Sequence, residues 1–252
     1  MKEFIADKFL VKLMDHNNLE EVKKVQTLRY KHLLRDYNPS LPLDGLDDDG
    51  YDDYSDSILV IDTQTNEICG TYRVASLKTT KGHKFLTDDE YDIEELKRSG
   101  FDFVELGRAV VHPDYRSGYV IQILFLAVYR YMLEHDCKYC LGLCSFHGND
   151  PTIYKNALTY LKRNYLFTDY TIKAVSNSFE LDLVEGELDR EKVNNELPGL
   201  LKMYLKFGNK VAYNGSIDYS FNSCDVLVIV DIKDIDIRYI NHFSKLIKKE
   251  VA

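Results

Sequence analysis

The segment Phe103 to Gly118, "FVELGRAVVHPDYRSG", constrains this chain more than any other. An apolar strand pattern is broken by Glu105, Gly107 and Arg108. A turn through His112 and Pro113 then leads into "YVIQILFLAVYRYMLEH", apolar around most of its circumference and so a largely buried helix. On a regular strand Glu105 and Arg108 point to opposite faces. A bulge at Gly107 would shift the alternation by one and turn both toward one cleft. Without it, each needs a separate partner. Two readings follow: a structural ion pair tying strands together, with Arg73 of "GTYRV" as a partner, or a sheltered carboxylate serving as general base beside arginines that hold it ionised or bind a substrate carboxylate.

The rest of the chain fits an α/β or α+β sandwich. "KFLVKLMD" alternates and reads as a first strand; "NNLEEVKKVQTLRYKHLLRDY" carries a helical stripe behind an Asn cap. "SILVID" and "EICGTYRVASL" flank Thr63 to Asn66 as an antiparallel hairpin. A short helix ends at Gly100 and "KYCLGLCSF" is a further strand. Asp150-Pro151 opens another helix, "LPGLLKMYLKFG" is a helix closed by Gly208, and "KVAYNGSID" and "DVLVIVDI" are late strands. With no internal repeat and no linker, a single domain over 1–252 is expected.

Composition excludes several roles. A formal charge of −9 argues against nucleic-acid binding, which rests on clustered Lys and Arg. No apolar run approaches the ~18 residues of a membrane span, and the N-terminus lacks a signal-peptide core, so a cytoplasmic protein is expected. Five cysteines without a secretion signal read as reduced thiols. Cys137, Cys140, Cys144 and His147 mimic metal spacing, but on a strand Cys140 and Cys144 stand about 13 Å apart, too far for one zinc. No metal site is expected. The Asp-rich loop "NPSLPLDGLDDDGYDDYSD" fails the EF-hand register, because Gly45 falls at the first ligand position. Most of its carboxylates are expected to be solvated, with Asp52 or Asp56 as candidates to attract a substrate ammonium. His112 is expected as a turn residue and His147 as a strand-end residue.

"GTYRV", "ELGRAVVHPDYRSGYVI" and "LCSFHGNDP", together with the C-terminal "LPGLLKMYLKFGNKVAYNGSIDYSFNSCDVLVIVDI" and "RYINHF", resemble the L-ornithine N-acyltransferase (ornithine-lipid synthase) family of the GNAT superfamily. A weaker likeness to acyl-homoserine-lactone synthases runs through Arg29, the Asp-rich loop, Arg73, Glu105 and Arg108. The resemblance implies a GNAT-like twisted mixed sheet flanked by helices, with a splayed central strand pair. Residues 1–175 would form the core with the acyl-donor site, and 176–252 would complete the sheet and pocket.

It also implies transfer of a long, 3-hydroxylated fatty acyl group from acyl carrier protein to the amine of an amino acid, ornithine by default, giving a lyso-ornithine-lipid-type product. No permanently bound cofactor is implied. Glu105 would take the proton, Arg108 and Arg73 with Arg29 would hold a carboxylate or order Glu105, and Asp52 or Asp56 would attract the ammonium. Backbone N–H groups of Ala109, Val110 and Val111 would hold the oxyanion. The donor loop Arg116-Ser117-Gly118 departs from the Arg-x-x-Gly-x-Gly/Ala pattern of coenzyme A enzymes and is followed by bulky residues. That favours the single phosphate of a carrier-bound pantetheine arm, with acyl-CoA as the alternative donor. The rivals are a CoA-dependent N-acyltransferase, a signal synthase using S-adenosylmethionine, and an inactive acyl-binding module. An acidic carrier needs a basic dock, for which Arg116, Arg130, Lys138, Lys155, Lys162 and Arg163 are candidates. Peripheral contact with the inner membrane face would come through the product.

Overall fold

The computed structural model describes residues 1–251. Its main strands, in chain order, are β1 (Phe4–Ala6), β2 (Phe9–Leu13), β3 (Asp56–Asp62), β4 (Glu67–Ser76), β5 (Phe103–Val111), β6 (Tyr139–His147), β7 (Gly215–Asp218), β8 (Ser223–Asp231) and β9 (Ile247–Glu250). The helices of eight or more residues are α1 (Leu19–Arg29), α2 (Tyr119–Glu134), α3 (Lys155–Asn164), α4 (Gly199–Lys206) and α5 (Ile237–Ser244). Two compact units divide the chain: Met1–His83 with Val104–Cys137 and the residues from Ile237 onward, and Lys84–Phe103 with Lys138–Asp236.

In the first unit six strands run antiparallel in the order β9-β1-β2-β3-β4-β5. The expected hairpin is β3 and β4. The expected Asn cap is Asn18, whose side chain accepts the Glu21 N–H at 3.2 Å and starts α1. One sheet face is sealed by α1, where Val25 packs with Met14, Leu59 and Ile61. Each such buried side chain contributes about 1.5–3 kcal/mol. The other face is covered by α2, whose approach depends on Gly70: a Cβ there would lie 2.7 Å from Val120 Cγ1. As its composition requires, α2 is buried from Val120 to Met132 along most of its surface. Beyond Arg29 the helix widens into a π turn, Tyr30–Leu34, a form common near functional sites. Two strands and a helix escape the sequence pattern. β1 precedes the expected first strand, and α5 leads into β9, which returns to pair with β1.

The second unit is built on β8, buried at all nine positions and paired antiparallel with β6 from Ser223–His147 to Asp231–Tyr139. On its other side run β7 and the short strand Lys210–Val211. The expected "KVAYNGSID" strand is thus broken in two. Asp150 caps the turn before α3, accepting the Thr152 N–H at 3.0 Å. α4 ends where Gly208 takes φ +93°. All five cysteines are buried free thiols.

Candidate active site

The register of β4 against β5 changes within two residues. Gly70 and Thr71 pair with Val111 and Val110, whereas Arg73, Val74 and Ala75 pair with Gly107, Leu106 and Glu105. Between these blocks Tyr72 faces two residues, Arg108 and Ala109: a β-bulge. It falls one residue after the expected Gly107, and the left-handed backbone sits on Arg108 itself, at φ +54°. For a bulky non-glycine residue that conformation is uncommon and costs of order 1–3 kcal/mol.

The pairing sets the faces. Glu105 lies opposite Ala75 and so shares the face of Arg73, two residues along β4. Despite its odd place in the alternation, Arg108 reaches the same carboxylate as Arg73. Its Nη2 donates to Asp49 Oδ2 at 2.9 Å and its Nε to Asp47 Oδ2 at 3.0 Å. Glu105, Arg73 and Arg108 are therefore brought to one side of the sheet, the side that α1 covers.

Three guanidinium groups and three carboxylates interlock there. Arg29, fully buried at the end of α1, donates to both oxygens of Asp52, through Nη1 to Oδ1 at 2.8 Å and through Nη2 to Oδ2. Its Nη2 also donates to the Asp47 carbonyl at 2.9 Å. Arg29 Nε sits 2.9 Å from Asp47 Oδ2 as a charge contact without an aligned hydrogen bond. Arg73 Nη1 donates to Asp49 at 2.7 and 2.9 Å and lies 3.6 Å from Asp52 Oδ1, with the Tyr51 ring 5.3 Å from its guanidinium carbon. Arg73 Nη2 is buried and donates to no group among the described residues. It is an unmet donor, which is costly for a buried group.

The acidic loop is held down by more than charge. Tyr30, in the π turn, donates its hydroxyl to the Pro42 carbonyl at 3.0 Å, and a Cβ on Gly45 would fall 2.3 Å from the Tyr30 ring. Asp47 and Asp52 are buried and only Asp44, Asp48 and Asp53 are exposed, which corrects the expectation of a mostly solvated loop. Burial alone would raise Asp52 and Asp49, but hydrogen bonds and charge from Arg29 and Arg73 outweigh it and hold both below the usual carboxylate range.

Other candidates lie elsewhere. Asp56 pairs with Val74 and points to the face of α2, where it accepts the Tyr131 hydroxyl at 2.8 Å. Its expected role beside Asp52 is corrected, because the two sit on opposite faces of the sheet. Val110 and Val111 are in register with β4, while Ala109 shares the bulge with Arg108 opposite Tyr72. Arg116 Nε donates to the Val111 carbonyl at 3.0 Å, and Nη2 lies 3.5 Å from Asp36 Oδ2. Gly118, at φ +92°, opens α2 without a side-chain cap, following Ser117. His112 caps the Pro113–Tyr115 turn, and its ring meets that of His32 edge-on at 5.1 Å. Among the expected docking residues, Arg130 pairs with Glu250 at 2.7 Å and Arg163 with Asp182 at 2.8 Å. Lys138 lies over Phe101 and Lys162 over Tyr213. With Arg116 at Asp36, five of the six already serve the fold, and Lys155 is the residue to test first.

The class follows from the fold. A model of the acetyltransferase (GNAT) domain matches residues 28–126, from the end of α1 into α2. An N-acyl amino acid synthase from uncultured soil microbes shares the architecture, with TM-score 0.51 and 10% identity over 89% of this chain and 91% of that one. The fold is of the GNAT type. An L-ornithine N(α)-acyltransferase of Rhodobacter capsulatus is 29% identical, over 91% of this chain and 93% of its own length. One of Brucella abortus is 32% identical, over 79% of this chain and 74% of its own. The chain belongs to the L-ornithine N(α)-acyltransferase family.

Proposed function

We propose that this enzyme moves a long-chain 3-hydroxy fatty acyl group from the thioester of acyl carrier protein to the α-amine of ornithine, giving a lyso-ornithine-lipid-type product. Family membership supports the reaction type and the acceptor. The observation that carries the site assignment is one sheet face, where register sets buried Glu105 beside buried Arg73 with its unmet donor and the bulge lets Arg108 reach the same carboxylate as Arg73.

In this reading the acceptor carboxylate completes the Arg73 fork, with Arg108 beside it. Arg29 and Asp52 hold that face rigid rather than touch the substrate. Glu105 takes one proton from the ammonium, directly or through a water. The freed amine attacks the thioester carbonyl, and backbone N–H groups around Ala109 to Val111 hold the oxyanion. Attack forms the C–N bond; collapse restores the carbonyl and breaks the C–S bond, and the departing thiolate takes up the proton that the new amide nitrogen gives up. Arg116, Ser117 and the uncapped start of α2 at Gly118 receive the single phosphate of the donor arm. No helix among the described residues is long and apolar enough to cross a membrane, so contact with a bilayer would come through the acylated product.

The test offers purified protein a panel of acyl carriers, acyl-CoAs and amino acids and reads products by mass spectrometry. Acyl-ornithine formed from the carrier-bound 3-hydroxyacyl donor is expected. Only acetylated products, or turnover with acyl-CoA alone, would overturn the donor assignment. Acylation of another amino acid in preference to ornithine would overturn the acceptor.

A further inference from the structure

In the second unit, away from any arginine, three more carboxylates converge. Glu90, Asp218 and Asp225 each offer an oxygen within 4.8 Å of the others. Their outer oxygens are committed. Asp218 Oδ1 accepts from the Ser220 N–H and hydroxyl at 2.7 and 2.6 Å and from the Phe221 N–H at 2.9 Å, while Asp225 Oδ2 accepts the Ser223 hydroxyl at 2.8 Å. Asp225 Oδ1 and Glu90 Oε2 are buried and receive no aligned hydrogen bond among the described residues, the Ser145 and Ser216 hydroxyls interacting with the two carboxyls more loosely. Asp225 is only 2% exposed.

The supports of the cluster are rigid. Asp225 is in the middle ladder of β8, and Asp218 ends β7 opposite Ser223. Glu90 precedes Tyr91, whose buried hydroxyl donates to the Asn214 and Asp225 carbonyls at 3.2 and 3.0 Å. No Lys, Arg or His ion pair reaches any of the three among the described residues. A carboxylate oxygen that is buried, fixed and unpaired is costly unless something positive completes it.

We propose that Glu90, Asp218 and Asp225 bind one hard divalent cation, Ca²⁺ in preference to Mg²⁺, which ties the Glu90 turn to β7 and β8. Hard cations take carboxylate oxygens, and Ca²⁺ accepts six to eight of them in flexible geometry, whereas Mg²⁺ keeps several waters and uses one or two carboxylates. Three protein carboxylates facing one another suit Ca²⁺ better.

Calorimetry on the full chain, stripped with EDTA and titrated with CaCl₂ or MgCl₂, tests this. One Ca²⁺ per chain is expected, bound more tightly than Mg²⁺ and raising Tm. Glu90→Gln and Asp218→Asn change half-buried side chains without changing their size, and each should abolish the heat while the EDTA-treated variants melt no lower than the parent. Asp48→Asn, an exposed change in the other acidic loop, should bind as the parent does. Absence of saturable Ca²⁺ binding up to about 1 mM, or unchanged binding in Glu90→Gln, would overturn the site. So would carboxylate-dependent heat from ornithine with none from either metal, which would assign the cluster to an ammonium group. The readout is ion binding, so it stands or falls apart from acyl transfer.

Discussion

Two sets of three acidic side chains, one in each unit, use the same chemistry and stand in opposite electrostatic states. Asp47, Asp49 and Asp52 each meet at least one guanidinium, and Asp49 and Asp52 stay ionised although burial opposes it. Glu90 and Asp225 meet none among the described residues. Burial and the neighbouring carboxylates push Glu90 up to about 8, and burial pushes Asp225 up to about 6. Burial acts in the same direction on both sets, so it does not decide the outcome; the cation that accompanies each acid does. The first set is complete within the protein and can serve as rigid backing for chemistry. The second has no cation of the protein's own, and is the set proposed above to take one from outside.

Four measurements test that contrast. The largest effect belongs to Glu105, which shares the arginine-lined face. Glu105→Gln should lower kcat by about 10²–10⁴-fold, with little change in acceptor KM. Near-parental turnover in a mass-spectrometric assay would remove Glu105 from proton transfer. Next, Arg29→Met removes the two-pronged partner of buried Asp52, leaving it only Arg73 at 3.6 Å and leaving Asp47 to Arg108, and should cost about 3–5 kcal/mol in urea unfolding. Arg108→Met should cost less stability, because Asp47 and Asp49 keep Arg29 and Arg73, and should instead raise acceptor KM; equal losses would mean the network does not divide as drawn.

Acid titration gives the third. The folded pKa values of Asp49 and Asp52 lie below their unfolded values, so the unfolded chain binds protons first as pH falls. Their contribution is intact above about pH 4 and is lost below it. Urea midpoints followed downward from pH 5 should fall in that window, and less steeply in Arg29→Met. The smallest effect is at Asp56. Asp56→Asn should cost about 1 kcal/mol through Tyr131 and leave acceptor KM unchanged; a raised KM would return Asp56 to the site.

How much of this was legible depended on how local the signal was. The hairpin, the cap at Asn18 and the buried α2 are written in short-range periodicity, and all three form. The need for a bulge was readable too, since Glu105 and Arg108 could not otherwise share a face. Its position was not. Glycine at 107 suggested the unusual backbone there, whereas Arg108 takes it while held by Asp47 and Asp49. Asp47 and Asp49 were hidden inside a run of seven aspartates whose spacing alone does not tell buried from solvated. Asp56 was misplaced because its face is fixed by pairing with Val74, information that only the strand register carries. Glu90 lies far in sequence from Asp218 and Asp225, and no window on the chain displays the three together.

The pairing of β1 with β9 has a consequence for synthesis. Phe4 and Ile5 find their partners at Glu250 and Lys249, so one flank of β1 stays bare until those late residues leave the ribosome. A nascent chain halted before position 247 would carry an open strand border able to recruit a stranger. An early strand is thus safe only once a much later one has been made.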